Sequence, residues 1–225
     1  MRRLRNILLV GFLLDAAAHA DTLDAILARM DRAAKEFKSV SAKMKRLEFT
    51  AVLNESGEMN GEMRLKRDKG GTVGLVEFHD PDPRVISFNG RQARVYYPKA
   101  NTVEVYDAGK YKETMDRFLL LGFGTSGAEL KKEYEIKQGG AEMVGSVQTT
   151  HLELIPKSPD LKQYVTQIEF WIPDGQSNPI REKVTQPSKN YSIVTYSDLK
   201  LNPGLPASAF ELKLPPGVKI LHPQK

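Results

Sequence analysis

The sequence predicts an α+β protein in which one amphipathic helix precedes a long series of antiparallel strands. Apolar residues recur every three or four positions between residues 23 and 37, and from about residue 41 they alternate with polar residues. Most of the alternating segments are separated by short turns. Strands that pair in parallel need crossovers of a dozen or more residues, so the short turns favour an antiparallel sheet.

Residues 1–20 have the pattern of a cleaved signal peptide. Three arginines among the first five residues precede an apolar run from Ile7 to Leu14, and Ala18-His19-Ala20 supplies a small-x-small cleavage pattern before Asp21. The run is too short to span a bilayer, which needs about 20 apolar residues. Removal of residues 1–20 would leave 205 residues and lower the formal net charge from +5 to +3.

The composition excludes several classes of protein. The sequence contains no Cys, which excludes a disulfide framework, a thiolate metal site and a cysteine nucleophile. It also leaves no cysteine to carry a lipid anchor at a new N-terminus. We find neither an internal repeat nor a linker, so residues 21–225 are expected to form a single domain.

Helical periodicity is strongest in the segment Leu23–Phe37. Its apolar residues form one stripe between charged residues, and Asp21 or Thr22 can cap its N-terminus. Near the middle of the chain, Met115, Phe118 and Leu119 suggest a short apolar helix. Ser126-x-x-Glu129 is the pattern of a capping box, which predicts the start of another helix.

About ten strands follow the first helix. Asn89-Gly90 is a strong hairpin signal, and Gly139-Gly140 is expected to separate two strands. A sheet this wide forms a sandwich or a curved, barrel-like structure, and a barrel of ten or eleven strands is too wide to be filled by its own side chains. Either the helices fill it or it binds a ligand. The predicted strands are Glu58–Lys66, Val85–Phe88, Ala93–Tyr97, Val103–Tyr106, Tyr134–Lys137, Ser146–Ile155, Tyr164–Ile172, Ile180–Thr185, Tyr191–Leu201, Phe210–Leu212 and Val218–Leu221.

Candidate catalytic and metal-binding motifs are weak. Gly122–Gly127 matches G-x-G-x-x-G, but the dinucleotide site needs a preceding parallel strand, and an apolar helical turn precedes it here. Ser126 lies outside the G-x-S-x-G pattern of a nucleophile elbow. The segment from His79 to Asp82 could supply half of a metal site, although a turn explains it better. We therefore predict no catalytic residue, no metal and no cofactor.

Basic residues do not indicate a nucleic-acid partner. Lys43, Lys45 and Arg46 form one basic cluster and the segment from Arg64 to Lys69 forms another, but acidic residues lie among them. With a mature net charge of only +3, the pattern favours solvated strand faces over nucleic-acid binding. An acidic protein partner remains open as an alternative.

The apolar strand faces are more informative, because they contain several Met residues. Six of the seven Met residues remain after removal of residues 1–20. Unbranched Met side chains adapt to contents of irregular shape, although most apolar positions in any fold are ordinary core. The pattern fits a variable apolar ligand.

The order of these elements resembles the periplasmic lipoprotein carrier family, the LolA-like proteins. The resemblance extends over residues 22–222 and depends on the order and spacing of several motifs. These are Phe37 to Met44 after the first helix, Gly61 to Arg67, Asn89-Gly90-Arg91, Val95 to Pro98, Pro206 to Phe210 and Leu214 to Val218.

This resemblance implies an incomplete antiparallel β-barrel whose helices form a lid over a hydrophobic cavity. It implies a non-enzymatic periplasmic protein, expected to be a monomer, that carries lipid-modified proteins from the inner to the outer membrane. An inner-membrane ABC transporter would supply the cargo and an outer-membrane receptor would accept it. The alternative is an envelope sensor or scaffold of the same fold that binds a protein partner and transports no lipid.

The resemblance also assigns candidate site residues. An arginine at the end of the second motif contacts the lid in the family, which corresponds to Arg67 here, although Asp68 replaces the usual following Pro. The cavity or lid is expected to be lined by Met30, Phe37, Met63, Leu65, Val95, Tyr97, Met115, Phe118, Ile168 and Phe170.

Overall fold

The computed structural model describes residues 21–107, 109 and 112–223. The predicted signal peptide, residues 1–20, lies outside the described residues. Within the described part of the chain, no helix is both long and apolar enough to cross a membrane. The described residues form helices α1 (Leu23–Glu36), α2 (Lys112–Leu119), α3 (Gly127–Glu133) and α4 (Pro159–Lys162).

The strands join into one sheet in the order β12-β6-β5-β4-β3-β2-β1-β11-β10-β9-β8-β7. The outermost strands, β12 and β7, do not pair with each other, so the sheet is open. This confirms the predicted α+β class and the incomplete barrel. In chain order the strands are β1 (Ser39–Thr50), β2 (Glu55–Asp68), β3 (Gly71–Phe78), β4 (Arg84–Asn89), β5 (Gln92–Tyr97), β6 (Thr102–Asp107), β7 (Tyr134–Val144), β8 (Val147–Pro156), β9 (Gln167–Pro173), β10 (Arg181–Thr185), β11 (Tyr191–Leu201) and β12 (Lys219–Leu221).

Helix α1 packs on one face of the sheet, which we call the inner face. Thr22 caps its N-terminus by accepting a hydrogen bond from the Ala25 amide, and Asp24 in the first turn suits the helix dipole. Its apolar stripe, represented by Ile26 and Met30, lies on the inner residues of β8 and β9. This first core is closed by Leu130 of α3, so α1 is held between the sheet and a second helix.

A second core lies on the inner face of β1 to β3. It joins Val40 and Met44 of β1, Met63 and Leu65 of β2, and Phe123 from the loop between α2 and α3. Each of these side chains is buried. The same loop also supplies Leu121 to the first core, so it ties the two cores together.

The C-terminal segment covers part of the opposite, outer face. Phe210 is buried, and the Nζ atom of Lys66 lies 5.2 Å from the centre of its ring. Arg64 donates a hydrogen bond of 3.1 Å to the carbonyl oxygen of Ala209. Arg64 and Lys66 alternate with the inner residues of β2, which places them on the outer face. The segment therefore buries the outer side of the same strands whose inner side forms the second core.

Three predicted details are wrong. Gly139-Gly140 does not separate two strands but forms a register shift within β7 between Gln138 and Ala141. The predicted strand Phe210–Leu212 is replaced by a 3-10 turn at Ala207–Phe210, because this segment packs across the outer face rather than joining the sheet. The sheet is not wholly antiparallel, since β12 runs parallel to β6 after the long C-terminal crossing.

Candidate ligand-binding site

The inner face of β1 to β6 carries one continuous row of paired residues. Each member lies opposite the next on the neighbouring strand, so the row spans five interstrand steps, about 24 Å in all. Ala42 and Met63 at one end are buried, whereas Val76, Ile86 and Val95 are half-buried. In order, the row is Ala42, Met63, Val76, Ile86, Val95 and Glu104.

The row ends at a polar group. Glu104 Oε2 accepts hydrogen bonds from the hydroxyls of Tyr106 at 2.6 Å and Tyr97 at 3.4 Å. The bond to Glu104 and burial raise the pKa of Tyr106 to about 12, so its hydroxyl stays protonated and remains a donor. The inner face thus leads from a buried apolar core to a hydrogen-bonded polar edge.

Arg67 joins two parts of the structure above the inner face. Its Nη1 donates to the carbonyl oxygen of Ala34 in α1 at 3.2 Å, and its Nη2 donates to that of Gly124 at 2.7 Å. The guanidinium also lies 5.5 Å from the centre of the Phe37 ring. Both carbonyls belong to segments that end a helix or connect two helices, so one side chain fixes α1 relative to the loop that follows α2.

This loop, Leu120–Thr125, is the element that we call the lid joint. Asn178 is buried and its Nδ2 donates to the carbonyl oxygen of Gly122 at 2.8 Å. Phe123 packs edge-to-face on Tyr196, with ring centroids 5.2 Å apart. Together with Arg67 of β2, these contacts hold the lid joint against β2, β11 and the turn before β10.

Glu182 lies directly beneath the lid joint. A Cβ atom added to Gly122 would approach Glu182 Oε1 to 2.6 Å, so the backbone of the lid joint and the carboxyl group are in close contact. Glu182 Oε1 is inaccessible to solvent and has no hydrogen-bond partner among the described residues. Burial raises the pKa of Glu182 to about 8, against the opposing effect of a hydrogen bond with Tyr196. At neutral pH the carboxyl group is therefore mainly protonated.

A cleft of about 690 Å³ opens between α2 on one side and α3 with α4 on the other. Its size is within the usual range for small-molecule sites, about 300–1,000 Å³. Leu120, Leu121 and Tyr134 contribute its apolar interior, and Arg67 lies at its wall. Phe118 and Tyr164 also line it and remain 38% and 60% exposed, so apolar surface is available to a ligand.

The structure distributes the ten predicted cavity or lid residues over four places. Met30, Ile168 and Phe170 are in the first core and Phe37, Met63 and Leu65 are in the second, all of them packed against other side chains. Val95 and Tyr97 lie on the half-exposed inner face of β5. Met115 and Phe118 are both on α2, and Phe118 lines the cleft.

The glycine-rich segment has a packing role. Ser126 caps α3, with its hydroxyl accepting from the Glu129 amide at 3.1 Å, which confirms the predicted capping box. Gly127 lies so close to α1 that an added Cβ would meet the Leu27 carbonyl oxygen at 2.5 Å. These glycines let the chain approach α1 and Glu182 closely, and among the described residues no parallel strand precedes them as a dinucleotide site would require.

Sequence reasoning missed Glu182 and Asn178. Both are polar and both are held below the lid joint. Charged residues flank Glu182 on both sides in the sequence, so β10 carries no alternation that would show which of them points inward. Asn178 lies in a turn, where Asn is common for conformational reasons.

Comparison with known proteins supports the resemblance seen in the sequence. No family model matches the chain. An outer-membrane lipoprotein carrier protein of Pseudomonas entomophila (strain L48) is 24% identical over 226 residues, an alignment that covers 98% of this chain and 99% of the relative. The resemblance to lipoprotein carriers is thus confirmed over 98% of the chain, and this relative is named as a carrier and not as an enzyme.

Solved structures share the fold. An uncharacterised conserved protein from Thermus thermophilus matches with a TM-score of 0.54 and 10% identity, over 90% of this chain and 99% of that one. MucB matches with a TM-score of 0.51 and 12% identity over 85% of this chain. The match covers 62% of MucB, so the chain spans less than two thirds of that protein.

Proposed function

We propose that this protein is a periplasmic carrier that shields the acyl chains of lipoproteins and moves them from the inner to the outer membrane. The observation that carries the proposal is the half-exposed apolar row on the inner face of β3 to β5, next to helices that Arg67 fastens in place. The full-length similarity to a lipoprotein carrier supports the same function. An inner-membrane ABC transporter and an outer-membrane receptor would be its partners.

The energetics explain why such a carrier is needed. Exposing an acyl chain of about fifteen methylenes to water costs roughly 12 kcal/mol, at about 0.8 kcal/mol for each methylene. A lipid with two or three such chains therefore does not leave a membrane unaided. Holding the chains against an apolar face beneath movable helices solves this problem without making or breaking a covalent bond, so we propose no enzymatic activity.

Acyl chains would enter where apolar surface is already accessible. Val76, Ile86 and Val95 are half-buried on the inner face, and Phe118 is exposed in the cleft. The second core would stay closed until the lid joint moves, because Phe37 and Phe123 pack on its β1 and β2 residues. Release of the Arg67 contacts would then open the second core toward the ligand.

Native mass spectrometry tests the proposal. The protein is purified from a cell envelope that contains lipoproteins, and its mass is compared with the sequence mass. We expect a bound species that carries acyl chains and that can be replaced by a synthetic diacylated or triacylated lipopeptide. A mass equal to that of the polypeptide, with no uptake of either lipopeptide, would contradict the carrier function.

A second candidate function is that of an envelope scaffold or sensor that binds a protein partner. Its support is the exposure of Phe118 and Tyr164 at the cleft, where a partner could bury both rings, and the shared fold with MucB, which has also been solved in complex with MucA. A partner complex that forms equally well without lipid would favour this function over transport.

A further inference from the structure

The lid joint encloses an acidic side chain that has no opposite charge in contact with it among the described residues. Glu182 belongs to the inner face, where it pairs with Phe170 of β9 and Val194 of β11. Gly122 of the lid joint lies above it, and Pro179 also closely approaches Gly122. Oε1 is inaccessible to solvent in this arrangement.

Few charged or titratable groups face Glu182. The lid joint, Leu-Leu-Gly-Phe-Gly-Thr, contains none, and the residues paired with Glu182 on β9 and β11 are apolar. Tyr196 on β11 is hydrogen-bonded to Glu182, and burial raises the pKa of Tyr196 well above its usual value, so this group stays neutral. On β1, Arg46 pairs with Val194, forms a salt bridge of 2.8 Å with Glu48, and has a buried Nε without a hydrogen-bond partner among the described residues.

The consequence depends on the position of the lid joint. While Gly122 covers Glu182, ionisation of the carboxyl group would place a charge in an apolar site without a partner, which is strongly unfavourable. Once the lid joint moves away, water can hydrate the carboxylate, and Glu182 behaves as an ordinary glutamic acid. The closed form therefore binds one proton that the open form loses.

We propose that Glu182 is a proton-linked latch: the closed lid joint holds its carboxyl group protonated, and opening of the lid joint releases the proton. Closure is favoured at low pH, where both forms are protonated. It weakens as the pH rises from about 4.5, the usual value for Glu, to about 8, the value that burial imposes in the closed form. Within this window each pH unit changes the ratio of closed to open forms by about tenfold.

This inference depends on the carrier function only in treating the helices as a lid over a ligand. A lipid in the site would be held more firmly in acid and released more readily as the pH rises toward about 8.

Hydrogen–deuterium exchange of the mature protein tests the latch without any ligand. Exchange of the peptide that covers residues 118–126 is measured at pH 6, 7 and 8 and corrected for the intrinsic pH dependence of exchange. We expect protection of the wild-type lid joint to fall by about tenfold per pH unit. In Glu182→Gln, which keeps the shape and cannot ionise, protection should be independent of pH. Glu58→Gln, an exposed residue paired with Lys45, is the control and should retain the wild-type profile.

A second variant probes the contact itself. Gly122→Ala would place a methyl group 2.6 Å from Glu182 Oε1 at a φ of +82°, so the lid joint should lose protection at every pH. Gly145→Ala is the matched control, because Gly145 also has a left-handed φ, +62°, and no atom lies within 4 Å of its added Cβ.

The latch would be overturned if protection of the wild-type lid joint did not change between pH 6 and pH 8. It would also be overturned if protection in Glu182→Gln fell with pH as steeply as in wild type. Lipopeptide binding by wild type is measured in parallel. A pH-independent lid joint in a protein that binds lipopeptide would refute the latch alone. A pH-dependent lid joint in a protein that binds no lipopeptide would keep the latch and refute the carrier.

Discussion

Arg67 donates a hydrogen bond of 2.7 Å to the carbonyl oxygen of Gly124, although 57 positions separate the two residues in the chain. The same guanidinium reaches Ala34 in α1, so the end of β2 holds both the N-terminal helix and the lid joint. Neither acceptor is charged. The contact can therefore be broken and reformed without leaving a buried unpaired carboxylate behind.

Replacing Arg67 by Leu should loosen the lid. The variant loses two hydrogen bonds from a charged donor and the contact with Phe37, so we expect its free energy of unfolding to fall by about 1–3 kcal/mol. Binding of a hydrophobic fluorescent probe should rise because the second core becomes accessible. Chemical denaturation and probe titration measure the two effects, and release of bound lipopeptide should become faster.

Arg32→Leu is the control for this variant, since Arg32 is exposed on α1. It adds the same apolar side chain without removing the lid contacts. If Arg67→Leu and Arg32→Leu bind the probe equally, Arg67 is only a surface arginine.

An aspartate at Val95 should weaken ligand binding more than it weakens the fold. Val95 is half-buried on the inner face, so a carboxylate there would face the acyl chains in the proposed site. We expect the affinity for a fluorescent lipopeptide to fall at least about tenfold, since an ionised carboxylate in contact with an acyl chain loses hydration. Val105→Asp is the matched control, because Val105 is also half-buried but belongs to the outer face of β6. Equal losses of affinity in both variants would show that the inner face is not the binding surface.

Asp21, the predicted first residue of the mature chain, should stabilise the folded state to an extent that depends on pH. The pKa of Asp21 is lowered from 3.8 mainly by a hydrogen bond from the Gly175 amide and also by Arg29. A lowered carboxyl pKa stabilises the folded state above the unfolded value of 3.8, and this contribution disappears as the pH falls below it. Asp21→Asn should thus be less stable than wild type at pH 7, by up to about 1 kcal/mol for a partly exposed pair.

Urea denaturation at pH 7 and at pH 3 measures this difference. The control is Glu55→Gln, an exposed carboxylate at the start of β2 and outside any helix. A stability difference for Asp21→Asn that grows as the pH falls would contradict the assigned cause. N-terminal sequencing of the protein recovered from cells tests independently the predicted cleavage before Asp21.

His151 should control the fluorescence of Trp171, the single tryptophan of the sequence. Their rings stack with centroids 4.7 Å apart, and Trp171 Nε1 donates to Glu142 at 2.7 Å. Removing the imidazole in His151→Ala exposes the indole, so its emission should shift to longer wavelength and stability should fall by about 1–3 kcal/mol. His222→Ala, in the exposed C-terminal segment, should leave both unchanged. An unshifted emission in His151→Ala would show that another group shields the indole.

Elements that depend on local sequence were predicted well. The first helix and β11 match the predicted ranges to within one residue, and the capping box begins α3 as expected. The hairpin at Asn89-Gly90 also forms, with Asn89 and Gln92 as the last paired residues and Gly90 in the left-handed region. Each of these elements was predicted from a periodicity within the element or from a turn or cap residue a few positions away.

Strand β3 was missed because both of its faces are buried. Thr72 and Phe78 face inward, whereas Leu75 faces outward and is only 5% exposed. The outer residue is apolar because the C-terminal segment, more than 100 residues later in the chain, covers it. A strand that is covered on both faces lacks the alternation of polar and apolar residues. The sequence around β3 does not indicate that the C-terminal segment will pack on its outer face.

The candidate site could be predicted only in part. Residues that line a cavity and residues that fill a core are both apolar, so the sequence cannot separate Val95 on the open face from Ile168 in the packed core. It also cannot show that Arg67 would meet two carbonyl groups, because those contacts depend on how the lid joint folds back.

The separation of β7 from β12 has a mechanical consequence. In a closed barrel the number of strands and their stagger fix the diameter, whereas here the two ends of the sheet can move apart through a change of twist that breaks no interstrand hydrogen bond. Self-association at these ends is limited by the short length of β12 and the irregularity in β7. The volume available to a ligand then depends on how easily the sheet changes its twist and is not one fixed value. A single fold can therefore accept ligands of different size.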